Sequence, residues 1–169
     1  MKLPRFFLML LICSSVSLVT AETILTRNIR VYSENMLYYA NIAKSADNNT
    51  ELSVSMVKSS NELWSSWLDW GNDYSGYLSN DGSFFVAANS VYSENHNLIT
   101  VYHREKQESY TVKSIPMNKE FLKLINGKYL WIDTDIEVNR GRFLYDGAGA
   151  ATAFEIVLND RRVLSIKLK

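Results

Sequence analysis

A chain of 169 residues with 47% hydrophobic and 21% charged residues has the size and composition of one globular domain, which excludes wholesale disorder and a collagen-like chain. Its 18 basic and 18 acidic residues cancel, removing the usual electrostatic argument for nucleic acid. One cysteine and two histidines leave little material for thiolate, metal or acid–base chemistry.

The chain opens with Lys2 and Arg5, then the apolar run Phe6–Ile12, then Val19-Thr20-Ala21. That order reads as a secretory signal peptide over 1–21, and the apolar run is far shorter than the roughly 20 residues of a membrane span. Cleavage there would remove Cys13, Lys2 and Arg5, leaving a disulfide-free, slightly acidic chain over Glu22–Lys169. Such a product is expected to be secreted and extracellular, without a membrane span. Asn48-Asn49-Thr50 is an N-glycosylation sequon in a polar run, so Asn48 is the expected modification site.

Beyond this segment the chain is read as strands. Leu52–Val57, Leu98–Tyr102, Tyr110–Ile115 and Phe154–Leu158 alternate or are enriched in β-branched and aromatic residues. Turn chemistry separates them at Asp81-Gly82, Asn126-Gly127, Asp146-Gly147 and Asn159-Asp160. An all-β sandwich or barrel follows from this density. The string Val-Tyr-Ser-Glu-Asn occurs at 31–35 and again at 91–95, and an offset of 58 then sets Leu52–Val57 against Tyr110–Ile115. A third, shorter unit sets Tyr110 against Phe154 and Phe121 against Leu164.

Asn126–Trp131, followed by Ala153–Leu158 and Val163–Lys167, resembles the last repeat of a fascin-like β-trefoil; Ser75–Ser79 resembles a second copy of its Gly-x-Tyr-Leu opening. The resemblance extends to cytokine-like trefoils at the level of fold. It implies a single closed barrel with three hairpins, with repeats at about 22–70, 71–126 and 127–169. An α+β domain is the alternative, with short helices over Ser59–Asp69 and over Asn118–Gly127, the latter capped by Asn118. Leu78–Val86, with Asp81-Gly82, also resembles one propeller blade, although the chain is short for a whole propeller.

Trp64, Trp67, Trp70, Tyr74 and Tyr77 fall close together with Asp69 and Asp73 between them. Flat rings with neighbouring carboxylates suit a sugar, whose C–H face stacks on indole while its hydroxyls need acceptors, and equally a protein hot spot. Trp64 and Trp67 are also natural core residues, whereas Trp70, next to Gly71, is the ring expected at the surface. The binding candidates are therefore Trp70, Tyr74, Tyr77, Asp69 and Asp73. Arg140, Arg142, Arg161 and Arg162 would form an anionic-glycan or protease contact if folding gathers them. The single Gln107 has no tryptophan beside it, against the Gln-x-Trp signature of ricin-type lectins.

The enzyme case is thin. His96 lies in a polar turn and His103 at a strand end, and no nucleophile elbow, phosphate loop or zinc-protease helix occurs. Asp133-Thr134-Asp135 is the densest carboxylate run, read as a solvated turn rather than a calcium loop. No catalytic residue, metal or cofactor is expected. The expectation is a monomeric, non-catalytic binding protein for an extracellular protein or a glycan, with no nucleic-acid partner. A trefoil-type serine protease inhibitor presenting Asn139–Arg142, or a weak carboxylate-dependent hydrolase, are the alternatives.

Overall fold

Strand-forming segments account for nearly every element of the computed structural model, which describes residues 28–44, 49–104, 106–115, 117–133 and 141–169. The expected signal segment over 1–21, Asn48, Asp135 and Arg140 lie outside those residues. The chain is all-β. Its first sheet is a meander of β1 (Ile29–Tyr32), β2 (Tyr38–Lys44), β3 (Thr50–Met56) and β4 (Glu62–Trp67), paired antiparallel in that order. The second repeats the pattern with β5 (Tyr74–Leu78), β6 (Phe85–Asn89), β7 (Ile99–His103) and β8 (Lys106–Tyr110). A two-stranded hairpin follows, β9 (Lys123–Ile125) with β10 (Lys128–Leu130). A three-stranded meander ends the chain: β11 (Gly141–Tyr145), β12 (Ala151–Val157) and β13 (Val163–Lys167).

The second sheet is the middle layer of three. Along β6 the side chains alternate between two cores: Phe85 and Ala87 join Ala40, Ile42, Leu52, Val54 and Trp64 of the first sheet. Val86 and Ala88 join Phe154, Ile156 and Ile166 of the third. Both faces of β6 are therefore dry, which is why Phe84–Ala88 is a continuous apolar run instead of an alternating one. The outer sheets bury one face each and keep the alternation. The backbones come closest where β1 and β2 meet β5. Small residues permit it: a Cβ at Gly76 would stand 2.7 Å from the Phe85 ring and 3.1 Å from Val31. A Cβ at Gly141 would stand 2.7 Å from both Tyr77 and Phe154.

One end of the stack is tied by a repeated turn. Between β1 and β2, the Ser33 hydroxyl donates to Asn35 Oδ1 (2.8 Å) and accepts from the Tyr38 N–H (3.1 Å). Between β5 and β6, the Ser79 hydroxyl donates to Asp81 Oδ1 (2.6 Å) and accepts from the Phe84 N–H (3.0 Å). Met36 and Gly82 take the same left-handed conformation, at φ 57° and 69°. The turns then bond to each other: Asn35 donates twice to Asn80, the Asn80 N–H donates to the Tyr145 hydroxyl, and the Ala151 N–H donates to Asp81. Three sheets are thereby pinned side by side at one end.

Several expectations are corrected by this arrangement. The four sheets do not close into a barrel, because successive meanders stack face to face instead of joining edge to edge. Ser59–Asp69 is not helical: Glu62–Trp67 is β4, with Trp64 turned into the core. Asn118 does cap, accepting from the Glu120 N–H, but the element is a short 3-10 turn at Lys119–Phe121 that leads into the β9–β10 hairpin. Only Tyr110 of Tyr110–Ile115 is in a strand, since the Thr111 carbonyl starts a turn closed by Ser114 and Ile115. The 58-residue offset also pairs unlike elements. In the structure Ser33 corresponds to Ser79, Asn35 to Asp81 and Tyr38 to Phe84, and the second Val-Tyr-Ser-Glu-Asn string falls in the β6–β7 connection.

Candidate ligand-binding groove

The end of the stack opposite the tied turns is open. There the start of β1, the end of β2, the start of β3 and the β4–β5 connection surround a groove of about 830 Å³. Its apolar wall comes from Ile29, Val31 and Ile42, and its far side from Trp70, Tyr74 and Gly76. Lys44, Thr50 and Asn72 contribute the polar groups. Lys44 and Thr50 face each other as a cross-strand pair of β2 and β3.

The aromatic side is held in place before any ligand arrives. The Leu68 N–H donates to the Thr50 carbonyl (2.9 Å), and the Asp69 N–H donates to the Tyr102 hydroxyl (3.3 Å). Both the N–H and the hydroxyl of Ser90 donate to the Asp73 carbonyl (2.9 Å each). The Trp70 ring lies 5.7 Å from that of Tyr74 and 6.2 Å from that of buried Phe85, tilted against each. Such offset, tilted pairs are favoured by the ring quadrupoles. Burial, reinforced by the neighbouring Asp69 carboxylate, pushes the Tyr74 hydroxyl up to about 12, so it stays protonated. That hydroxyl points to Asp69 Oδ2 at 3.5 Å.

The candidate residues are thus divided among different tasks. Trp70 and Tyr74 meet on the groove, with Asp69 behind Tyr74. Tyr77 points the other way, its ring tilted at 52° against that of Phe154 at 5.1 Å between the second and third sheets. Asp73 is gripped by Lys128 of β10, at 2.7 and 2.8 Å. Trp64 is core, its indole N–H donating to the Gly82 carbonyl (2.8 Å). Trp67 is 63% exposed on β4, set opposite Glu51 on the outer face of the first sheet. Lys44, Thr50 and Asn72 were missed because they flank runs that read as polar loop, and no local pattern brings them to Trp70.

Of the four candidate arginines, the three among the described residues are each engaged with a carboxylate. Arg142 bonds Glu155 through two nitrogens (2.9 and 2.8 Å), Arg162 pairs with Asp160, and Arg161 reaches Asp133 at 2.9 Å. Asp133 is fully buried, which corrects the expectation of a solvated turn. Its carboxylate is enclosed because Arg161 from the β12–β13 turn and Lys123 from β9 (3.7 Å) both close over it. Of the sequon, Asn49 is exposed and Thr50 is buried at the start of β3. His96 is exposed; His103 stacks on Phe84 at 4.5 Å, and burial, with Arg104 and Lys106 nearby, lowers its proton affinity. No group of three or more potential metal ligands occurs among the described residues, and no helix there is long and apolar enough to cross a membrane. Comparison with protein-family models, with curated proteins and with solved structures finds no match to this chain.

Proposed function

We propose that this chain is a secreted, non-catalytic, monomeric binding protein that recognises a glycan in the groove at the open end of the stack. The observation that carries the reading is the placement of Trp70 and Tyr74 on one groove with hydroxyl, amide and ammonium groups around them. A pyranose has an apolar C–H face that stacks on such rings and hydroxyls that need polar partners, and pockets of this volume hold ligands of that size. The leader at 1–21 and the cysteine-free remainder fit an extracellular role. Arg142 is committed to Glu155, which argues against its presentation to a protease. A trefoil would require strands that close one barrel.

Binding to a glycan array, followed by titration of the best hit, tests the proposal. Trp70→Ala is expected to abolish binding with a cooperative thermal unfolding transition retained; equal binding by that variant, or no binding to any glycan, overturns it. A protein partner is the second reading, favoured by the β9–β10 hairpin and the 3-10 turn before it, which expose Leu124, Ile125 and Tyr129, and Phe121, respectively.

A further inference from the structure

Donors outnumber acceptors around the groove. The Lys44 ammonium and the Trp70 indole N–H can only donate, while Thr50 and Asn72 can do either. No carboxylate lines the groove among the described residues. The described acids adjacent in sequence to lining residues are engaged or turned away: Asp69 faces the Tyr74 hydroxyl, Asp73 is held by Lys128, and Glu51 lies opposite Trp67 on the outer face. Among these side chains a neutral saccharide meets more donors than acceptors, and its own hydroxyl hydrogens depend on Thr50 and Asn72. Lys44 itself is exposed, and none of the ion pairs among the described residues uses it. A ligand that brings acceptors and a negative charge meets all of these groups at once.

We infer that the groove takes an acidic saccharide, its pyranose face against Trp70 and Tyr74 and its anionic group on Lys44. The inference rests on the glycan-binding reading above and adds the charge of the ligand. Thr50 and Asn72 then serve ring hydroxyls, and none of the described residues lining the groove is a carboxylate that would repel the anion. Because Lys44 is solvent-exposed, its pairing gives discrimination of modest size, about three- to tenfold in affinity.

The test titrates the purified protein, read by tryptophan fluorescence and calorimetry, with oligogalacturonate, a hyaluronan oligomer, sialyllactose and a sulfated disaccharide. Each is set against its methyl ester, desulfated or asialo counterpart. The expected result is tighter binding of at least one acidic form, weakened by salt, with Lys44→Gln weakening the acidic form more than the neutral one and so removing the preference. Trp70→Phe, which keeps a ring in place, weakens both forms and controls for folding. Carboxylate and sulfate arms separate the two sources of charge. Equal affinity for acidic and neutral forms, or a preference that survives Lys44→Gln, overturns the inference and leaves glycan binding standing. No binding by any member of either series overturns both.

Discussion

At Gly76 the missing side chain matters for space. The Phe85 ring that a Cβ would strike is fully buried and held by Trp70 and Tyr102, so it has nowhere to retreat. Gly76→Val is therefore expected to cost about 1–3 kcal/mol in urea unfolding, the range for overpacking a tight core. His103 offers a pH signal instead. Its proton affinity is lowered from 6.5 in the folded chain, so the unfolded chain takes up a proton first as pH falls. Stability is complete above 6.5 and declines as pH drops below it, toward the lower folded value. Melting temperatures between pH 7.5 and 5 should show that decline in the wild type and a smaller one in His103→Gln. Among the tryptophans, iodide should quench Trp67 strongly and leave Trp64 (8% exposed) and Trp131 (1% exposed) shielded, with Trp70 between them.

The β9–β10 hairpin shows how an element depends on its anchors. A two-stranded ribbon is marginal on its own. Asn126 (φ 49°) and Gly127 (φ 75°) supply the double left-handed turn that matches strand twist, a feature legible in the sequence. What the sequence conceals is the anchoring. Lys128 holds Asp73 beside the groove, Lys123 leans on buried Asp133, and Arg161 reaches the same carboxylate from the β12–β13 turn. Removing a partner of a buried charge is worse than removing the charge. Arg161→Ala, which takes away the nearer of the two cations facing the buried Asp133 carboxylate, is expected to cost about 3 kcal/mol, and Asp133→Asn clearly less, by chemical denaturation. The opposite order would mean that water reaches Asp133.

At the scale of the molecule, the middle sheet couples two cores. Phe85 packs toward the first sheet while its neighbour Val86 packs toward the third, so loosening one core loosens the strand that builds the other. Phe85→Ala should cost about 3–5 kcal/mol. Unfolding followed by Trp64 fluorescence and by Trp131 fluorescence should still coincide; separated transitions would show that the sheets unfold independently. The tied end and the open end divide the labour. Hydrogen bonds between Asn35, Asn80, Asp81, Tyr145 and Ala151 pin the sheets together, and the groove lies where those ties are absent.

Strand character and turn positions were determined by the sequence itself, because period-two alternation and Asn-Gly, Asp-Gly or Asn-Asp pairs act within a few residues. Leu52–Met56, Ile99–Tyr102, Phe154–Val157 and all four turns follow from such local preferences. The β4 strand was ambiguous, since Trp64, Trp67 and Leu68 satisfy helical spacing as well, and pairing with β3 decided it. Which sheet covers which, and hence which aromatic ring reaches solvent, belonged to the tertiary structure. Trp70 and Tyr77 are close in the chain yet face different layers, because burial is a property of what lands on each face. The groove itself joins β1, β2 and β3 to the β4–β5 connection, and only sheet stacking brings Lys44 and Thr50 to Trp70.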